Sequence, residues 1–162
     1  YRFLEVCEQL GASVQRSDSE TTIVGPDGGD LQPLSEVDME HMPDVAPTLM
    51  AMAPFVPGAT RITGLATLRI KECDRIAVPV NQLRKLGVRI EEGPEHVVVH
   101  GLQAPGAPSA PLLATHDDHR MAMSFAVIGS RLGGVRIADP GCVGKTYPAF
   151  WEDLARLYPA QG

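Results

Sequence analysis

The 162-residue chain has no apolar run approaching a membrane span, no block of lysine and arginine, few cysteines and no complete nucleotide-binding loop. A helix needs about 20 consecutive apolar residues to cross a bilayer. The stretch Tyr1 to Gly11, YRFLEVCEQLG, is amphipathic with charges inside it, so neither a transmembrane helix nor a signal peptide is expected. With a net charge of −6 and no basic block, nucleic acid and acidic membrane surfaces are poor partners, whereas small anions need only a few placed cations. The three cysteines, Cys7, Cys73 and Cys142, are widely spaced and have no histidines at metal-ligating distance. A reduced, cytoplasmic setting fits that usage. What is present is 44% apolar residues, enough for one domain or one large fragment with a real core. The first residue is tyrosine, and upstream sequence is expected.

Self-similarity organises the chain. FLEVCEQLGASVQRSDSETTIVGPDG from Phe3 and VPVNQLRKLGVRIEEGPEHVVVHGLQA from Val78 share a helix-like segment ending in Leu-Gly and then two alternating apolar segments. Leu10-Gly11 and Leu86-Gly87 lie 76 residues apart, and each glycine suits the left-handed position after a helix. SVQRSDSETTIVG and VRIEEGPEHVVVHG read as β-hairpins. FWEDLARLY from Phe150 repeats the helix once more.

A second half-repeat lies between these copies. MPDVAPTLMAMAPFVPGATRIT from Met42 resembles DDHRMAMSFAVIGSRLGGVRIA from Asp117: an acidic residue opens a Met/Ala-rich helix, and a glycine-bearing turn and a short strand follow. Asp44 and Asp118 are 74 residues apart, and so are Lys71 and Lys145. Two cations therefore fall at the same topological point of two successive units. The helices are apolar nearly all round, which predicts that they form the interior. Met50, Met52, Met121 and Met123 belong to that core. PDGGDLQP (Pro26 to Pro33) and QAPGAPSAP (Gln103 to Pro111) read as exposed connections.

Three stretches could carry chemistry. In DDHRMAM, Asp117 or Asp118 caps a helix whose first turn holds His119 and Arg120, cations placed against the dipole preference of that end. A bound phosphate or carboxylate would explain them; so would surface pairing of Arg120 with Asp117 or Asp118. GCVGKTYP sets Lys145 in a glycine-flanked loop ahead of a helix expected to start near Thr146 to Pro148, without the Walker pattern. RIKECDR places Arg69, Lys71, Glu72 and Arg75 at a strand-to-helix transition, where Glu72 and Arg75 would share a helical face. Cys73 reads as packing and Arg69 and Asp74 as structural charges. Gathered on one face, these residues would suit a doubly anionic substrate and proton transfer by a paired acid and base.

MPDVAPTL, LRIKECDRI with the following LRKLG, THDDHRMAM and CVGKTYPAFWEDL resemble, in order, the EPSP synthases (3-phosphoshikimate 1-carboxyvinyltransferases) of the enolpyruvyl transferase family. The resemblance runs from about Val37 to the end; Tyr1 to Leu34 matches more loosely. It implies an α/β (α+β) fold of repeated βαβαββ units with helices inside and sheets outside, an inside-out α/β barrel. Residues 1–162 would be most of the C-terminal domain of a two-domain enzyme, an incomplete three-unit domain that the enzyme's own N-terminus crosses over to complete. The implied reaction joins the 5-hydroxyl of shikimate 3-phosphate to phosphoenolpyruvate through a tetrahedral intermediate and releases phosphate, in the shikimate pathway of aromatic amino acid biosynthesis. It uses no metal or organic cofactor, and the full enzyme would be a cytoplasmic monomer. By resemblance Asp44, Lys71, Glu72 and His119 are catalytic; Asp44, Thr67 and Lys71 contact shikimate 3-phosphate; and Arg75, Arg120 and Lys145 bind phosphoenolpyruvate or glyphosate. Thr67 stands where the family often has asparagine. The sister transferase acting on UDP-N-acetylglucosamine and a non-catalytic module that binds phosphorylated ligands are the alternatives.

Overall fold

A computed structural model describes residues 2–102 and 111–158. Helix α1 (Arg2–Gln9) leads into strands β1 (Ser13–Arg16) and β2 (Thr21–Val24). Then come β3 (Glu36–Asp38), α2 (Ala46–Met52), β4 (Ala59–Thr63), α3 (Ala77–Lys85), β5 (Ile90–Glu92) and β6 (Val97–His100). The last described stretch holds β7 (Leu112–Leu113), α4 (His119–Leu132), β8 (Arg136–Ile137) and α5 (Phe150–Leu157). From β3 to β6 the order is βαβαββ, one whole unit. The residues before it supply αββ and those after it βαβα, as the two half-repeats predict.

Local sequence explains the elements. α1 points Val6 and the following Leu10 inward, and Gly11 ends it at φ 98°. Gly87 does the same after α3 at φ 80°, a backbone region that costs glycine nothing. Both predicted hairpins form: β1 pairs antiparallel with β2, and β5 with β6. β6 also pairs antiparallel with β4, and β4 parallel with β3, giving a four-stranded sheet ordered β3-β4-β6-β5. Its register puts Val37, Ile62, Val97, Val99 and Ile90 on the buried face and Glu36, Arg61 and Glu91 outside, the alternation of a sheet with one wet face.

The helices fill the inside. α2 packs against α4, and the hydroxyls of Thr48 and Ser124 meet there at 3.4 Å. Met50 and Met121 are fully buried, and Met52 and Met123 partly so. The 26–33 connection is largely exposed, with a short 3-10 turn at Asp27–Gly29. Most of QAPGAPSAP lies outside the described residues. Among the described residues no helix is long and apolar enough to cross a membrane.

Two helix starts differ from expectation. Residues 140–145 wind as 3-10 helix and α5 begins only at Phe150. Pro148 is the reason, since the residue before a proline is pushed out of the helical region. Likewise Glu72 and Arg75 precede α3 rather than riding on it. Asp74 sets that boundary: its Oδ1 accepts from the amides of Ile76 and Ala77, both at 2.9 Å. Arg69 braces the turn by donating to Asp74 Oδ2 (2.9 Å), Glu92 Oε1 (3.1 Å) and the carbonyls of Gly93 and Pro94 (2.7 and 2.9 Å). The structural reading of Arg69 and Asp74 holds. Asp74→Ala is therefore expected to destabilise the fold by about 1–2 kcal/mol through loss of the cap, read as a lower urea midpoint; an unchanged midpoint would remove the cap from the account.

Candidate active site

The ends of the two repeats nearest α4's N-terminus converge. The turn before α2 supplies Asp44, the segment between β4 and α3 supplies Lys71, Glu72 and Arg75, the start of α4 supplies His119 and Arg120, and the loop after β8 supplies Lys145. Arg75 lies beneath them with its side chain only 2% exposed. Its Nε donates to Asp118 Oδ2 at 2.8 Å, Nη1 to Asp44 Oδ1 at 3.1 Å and Nη2 to Glu72 Oε2 at 2.6 Å. Arg120 reaches the same Asp44, donating to Oδ2 at 3.1 Å and to its carbonyl at 3.2 Å. Lys145 Nζ donates to Glu72 Oε1 at 2.8 Å, and Lys71 Nζ stands 4.0 Å from Asp44 Oδ1. Four cations and three carboxylates thus share one network.

The repeat explains the placement. Asp44 and Asp118 are equivalents, as are Lys71 and Lys145, and each pair is brought to one cluster. Of the two candidate caps, Asp117 and Asp118, it is Asp118 that caps α4, by accepting from the Arg120 amide at 2.8 Å. Arg120 pairs with Asp44 of the other repeat rather than with its neighbours. Thr67 is the one expected site residue left aside. It sits exposed in a 3-10 turn at Ala66–Ile70, beside a depression of about 350 Å³ lined also by Asp38, Glu40 and Glu95, and among the described residues it shares no hydrogen bond with the cluster.

Protonation follows from these contacts. The hydrogen bond from Lys145, helped by the charge of Arg75, holds Glu72 down to about 2, so it is a carboxylate at neutral pH. Burial pushes the Asp118 carboxyl up, but hydrogen bonds from Arg75, the Arg120 amide and Cys73 outweigh it and keep the group below its ordinary value. Burial, and then the Asp118 carboxylate, push the Cys73 thiol up to about 12, so it stays protonated at neutral pH. Burial lowers His119, with Arg120 and Arg75 adding to the effect against Asp118. Its imidazole is neutral at pH 7, and Nδ1 is buried without a hydrogen-bond partner among the described residues, 4.0 Å from Asp118 Oδ1.

Glu72 offers a direct check. A depressed carboxyl stabilises the fold above its ordinary 4.5 and loses that contribution as pH falls from there toward 2. Lys145→Ala should return the Glu72 midpoint toward 4.5, followed by carboxyl-carbon NMR. A midpoint that does not move would mean that Lys145 is not its principal partner.

The chain matches the family described as EPSP synthase (3-phosphoshikimate 1-carboxyvinyltransferase) over residues 1–154. It belongs to the EPSP synthase family. The 3-phosphoshikimate 1-carboxyvinyltransferase of Syntrophobacter fumaroxidans is 40% identical over 158 residues, covering 96% of this chain and 36% of the relative. That of Burkholderia vietnamiensis is 42% identical, covering 98% of this chain and 36% of the relative. Among solved structures, an EPSP synthase from Acinetobacter baumannii superposes with a TM-score of 0.80 at 26% identity, covering 95% of this chain and 38% of that one. The fold is therefore the family's inside-out α/β arrangement, and the chain spans 36% of the length of these curated EPSP synthases.

What sequence reasoning missed is the depth of Arg75 and Asp118. Asp118 was legible as one of two candidate caps, and its equivalence to Asp44 was the available signal that it also meets a charged partner.

Proposed function

We propose that this chain is most of the C-terminal domain of a two-domain, cytoplasmic EPSP synthase. The parent enzyme transfers the enolpyruvyl group of phosphoenolpyruvate to the 5-hydroxyl of shikimate 3-phosphate and releases phosphate. The observation that carries the reading is the convergence of Asp44, Lys71, Glu72, His119, Arg120 and Lys145, drawn from two repeats of an EPSP synthase fold, on one charged cluster.

In this reading Asp44 accepts the hydroxyl proton, and the Lys71 ammonium stabilises the negative charge that develops on the oxygen. Glu72, ionised and beside Lys145, accepts the methyl proton as phosphate leaves the tetrahedral intermediate. To give a proton to the methylene carbon in the addition it must first take one up, which loss of the Lys145 hydrogen bond to an incoming anion favours. Arg120, Lys145 and Arg75 hold the carboxylate and phosphate of phosphoenolpyruvate, where glyphosate would also sit, and a neutral His119 stands at the reaction centre. Substrate anions must displace Glu72 from Lys145 and Asp44 from Arg120, so charge neutralised inside the free domain becomes available as the ligand enters. Thr67 contacts the shikimate ring only if its turn moves or the second domain brings the substrate to it. The family's N-terminal domain supplies the remaining ligands, which makes the isolated 162 residues inactive.

Calorimetry of the isolated chain with shikimate 3-phosphate, then with an added N-terminal domain and phosphoenolpyruvate, tests this. Weak binding alone and phosphate release only with both domains and both substrates is the expected result. Tight binding by the isolated chain with no turnover in the assembled pair would instead make it an anion-binding module.

A further inference from the structure

The proposed reaction gives Asp118 no task, yet its carboxylate is fully buried at the junction of the two repeats. A buried ion costs several kcal/mol to desolvate, and apolar replacements of such groups are often neutral or stabilising, so stability alone does not account for it. Its surroundings do. Oδ1 accepts from the Arg120 amide at 2.8 Å and from Arg75 Nη2 at 3.3 Å. Oδ2 accepts from Arg75 Nε at 2.8 Å and from the Cys73 thiol at 3.3 Å. Donors surround both oxygens. A single side chain thus ties the segment before α3, which carries Cys73 and Arg75, to the first turn of α4, which carries His119 and Arg120.

We infer that Asp118, with the Cys73 thiol as an added donor, is a positioning residue that holds Arg75 back and aligns it with Arg120 for the anion. The inference rests on the reaction proposed above. Geometry supplies the reason. Besides Asp118, Arg75 is held by Asp44 and Glu72, both partly exposed and both assigned to proton transfer. Without the buried carboxylate the guanidinium is drawn outward between those two, and their charge is spent on it. Asparagine is no substitute, because its NH2 faces a donor whichever way the amide turns. Cys73 fits the same logic: its sulfur meets Asp118 as a protonated donor, a part that a serine hydroxyl fills and an alanine methyl does not.

The experiment uses the full-length protein. The Arg75 Nε–H proton, assigned through Arg75→Lys, should exchange slowly in the wild type and rapidly in Asp118→Asn. Asp118→Asn should raise KM for phosphoenolpyruvate by roughly tenfold to a hundredfold, as expected for loss of a charge-assisted hydrogen bond, with KM for shikimate 3-phosphate changed by less than about threefold. Cys73→Ala should move both readouts in the same direction by a smaller step, and Cys73→Ser should restore them. Unchanged Nε–H exchange, equal losses for the two substrates, or a serine variant that behaves as the alanine one would each overturn the inference. Where Asp118→Asn does not fold, the cysteine pair decides. Inactive wild-type protein would overturn the proposed reaction instead, and the exchange measurement would still decide the positioning.

Discussion

Lys71→Ala in the full-length protein is expected to lower kcat by about a thousandfold, the scale on which positioned proton transfer and charge stabilisation act. The fold should stay intact. Lys71 is 35% exposed in its side chain and stands 4.0 Å from Asp44, a loose contact rather than a buried pair. Its removal leaves Asp44 still held by Arg75 and Arg120, both at 3.1 Å, so no carboxylate is stranded. Stability should change by no more than about 0.5 kcal/mol, as for an exposed substitution. Phosphate release measured beside thermal unfolding checks both halves at once. Near-wild-type turnover would remove Lys71 from the chemistry, and a large loss of stability would make the inactivity a folding defect.

Arg75→Met predicts the opposite balance. Arg75 is buried and serves three carboxylates, one of which, Asp118, is itself without exposure. Deleting one partner of a buried pair strands the other charge and costs about 3–5 kcal/mol. For a protein of this size or somewhat larger that is a fall in unfolding temperature on the order of 10 °C. Neutralising the stranded group as well, with Asp118→Leu in the same chain, should recover much of the loss, since a buried pair replaced by apolar groups is often harmless. Calorimetric unfolding of the single and double variants decides it. A single variant that unfolds within about 2 °C of the parent would mean that water reaches Asp118 and that the pair is not truly buried.

These two arginine-and-lysine neighbours, four residues apart in the same motif, mark the limit of what the sequence discloses. The repeat, both hairpins and the glycine-terminated helices were legible because they depend on periodicity and local backbone chemistry: Gly11 and Gly87 stop their helices wherever those helices pack. The meeting of Asp44, Lys71, Glu72, His119, Arg120 and Lys145 was legible because equal spacing places equivalent positions at equivalent ends. Burial was not. Asp44 and Asp118 occupy the same place in their repeats, yet one is 46% exposed in its side chain and the other 0%. Asp118 is covered by Cys73 and Arg75 from the segment before α3, 45 and 43 residues away along the chain, which no window of sequence contains. The delayed start of α5 had a local cause, Pro148, and was open to reading.

The packing of α2 on α4 sets two copies of one unit face to face, but the copies no longer match where it matters. Counting 74 residues on, Arg75 answers to Ala149 and Glu72 to Thr146; counting 74 back, Arg120 answers to Ala46. Only the aspartate and lysine pairs survive in both. A cleft lined identically from both sides would accept an unsymmetrical dianion in two reversed poses of equal energy, and half of the encounters would place the reacting carbon at the wrong group. Divergence of the copies removes that degeneracy. Each 1.4 kcal/mol of difference between the poses suppresses the reversed one by about tenfold. The scaffold is duplicated, while its charge pattern is handed.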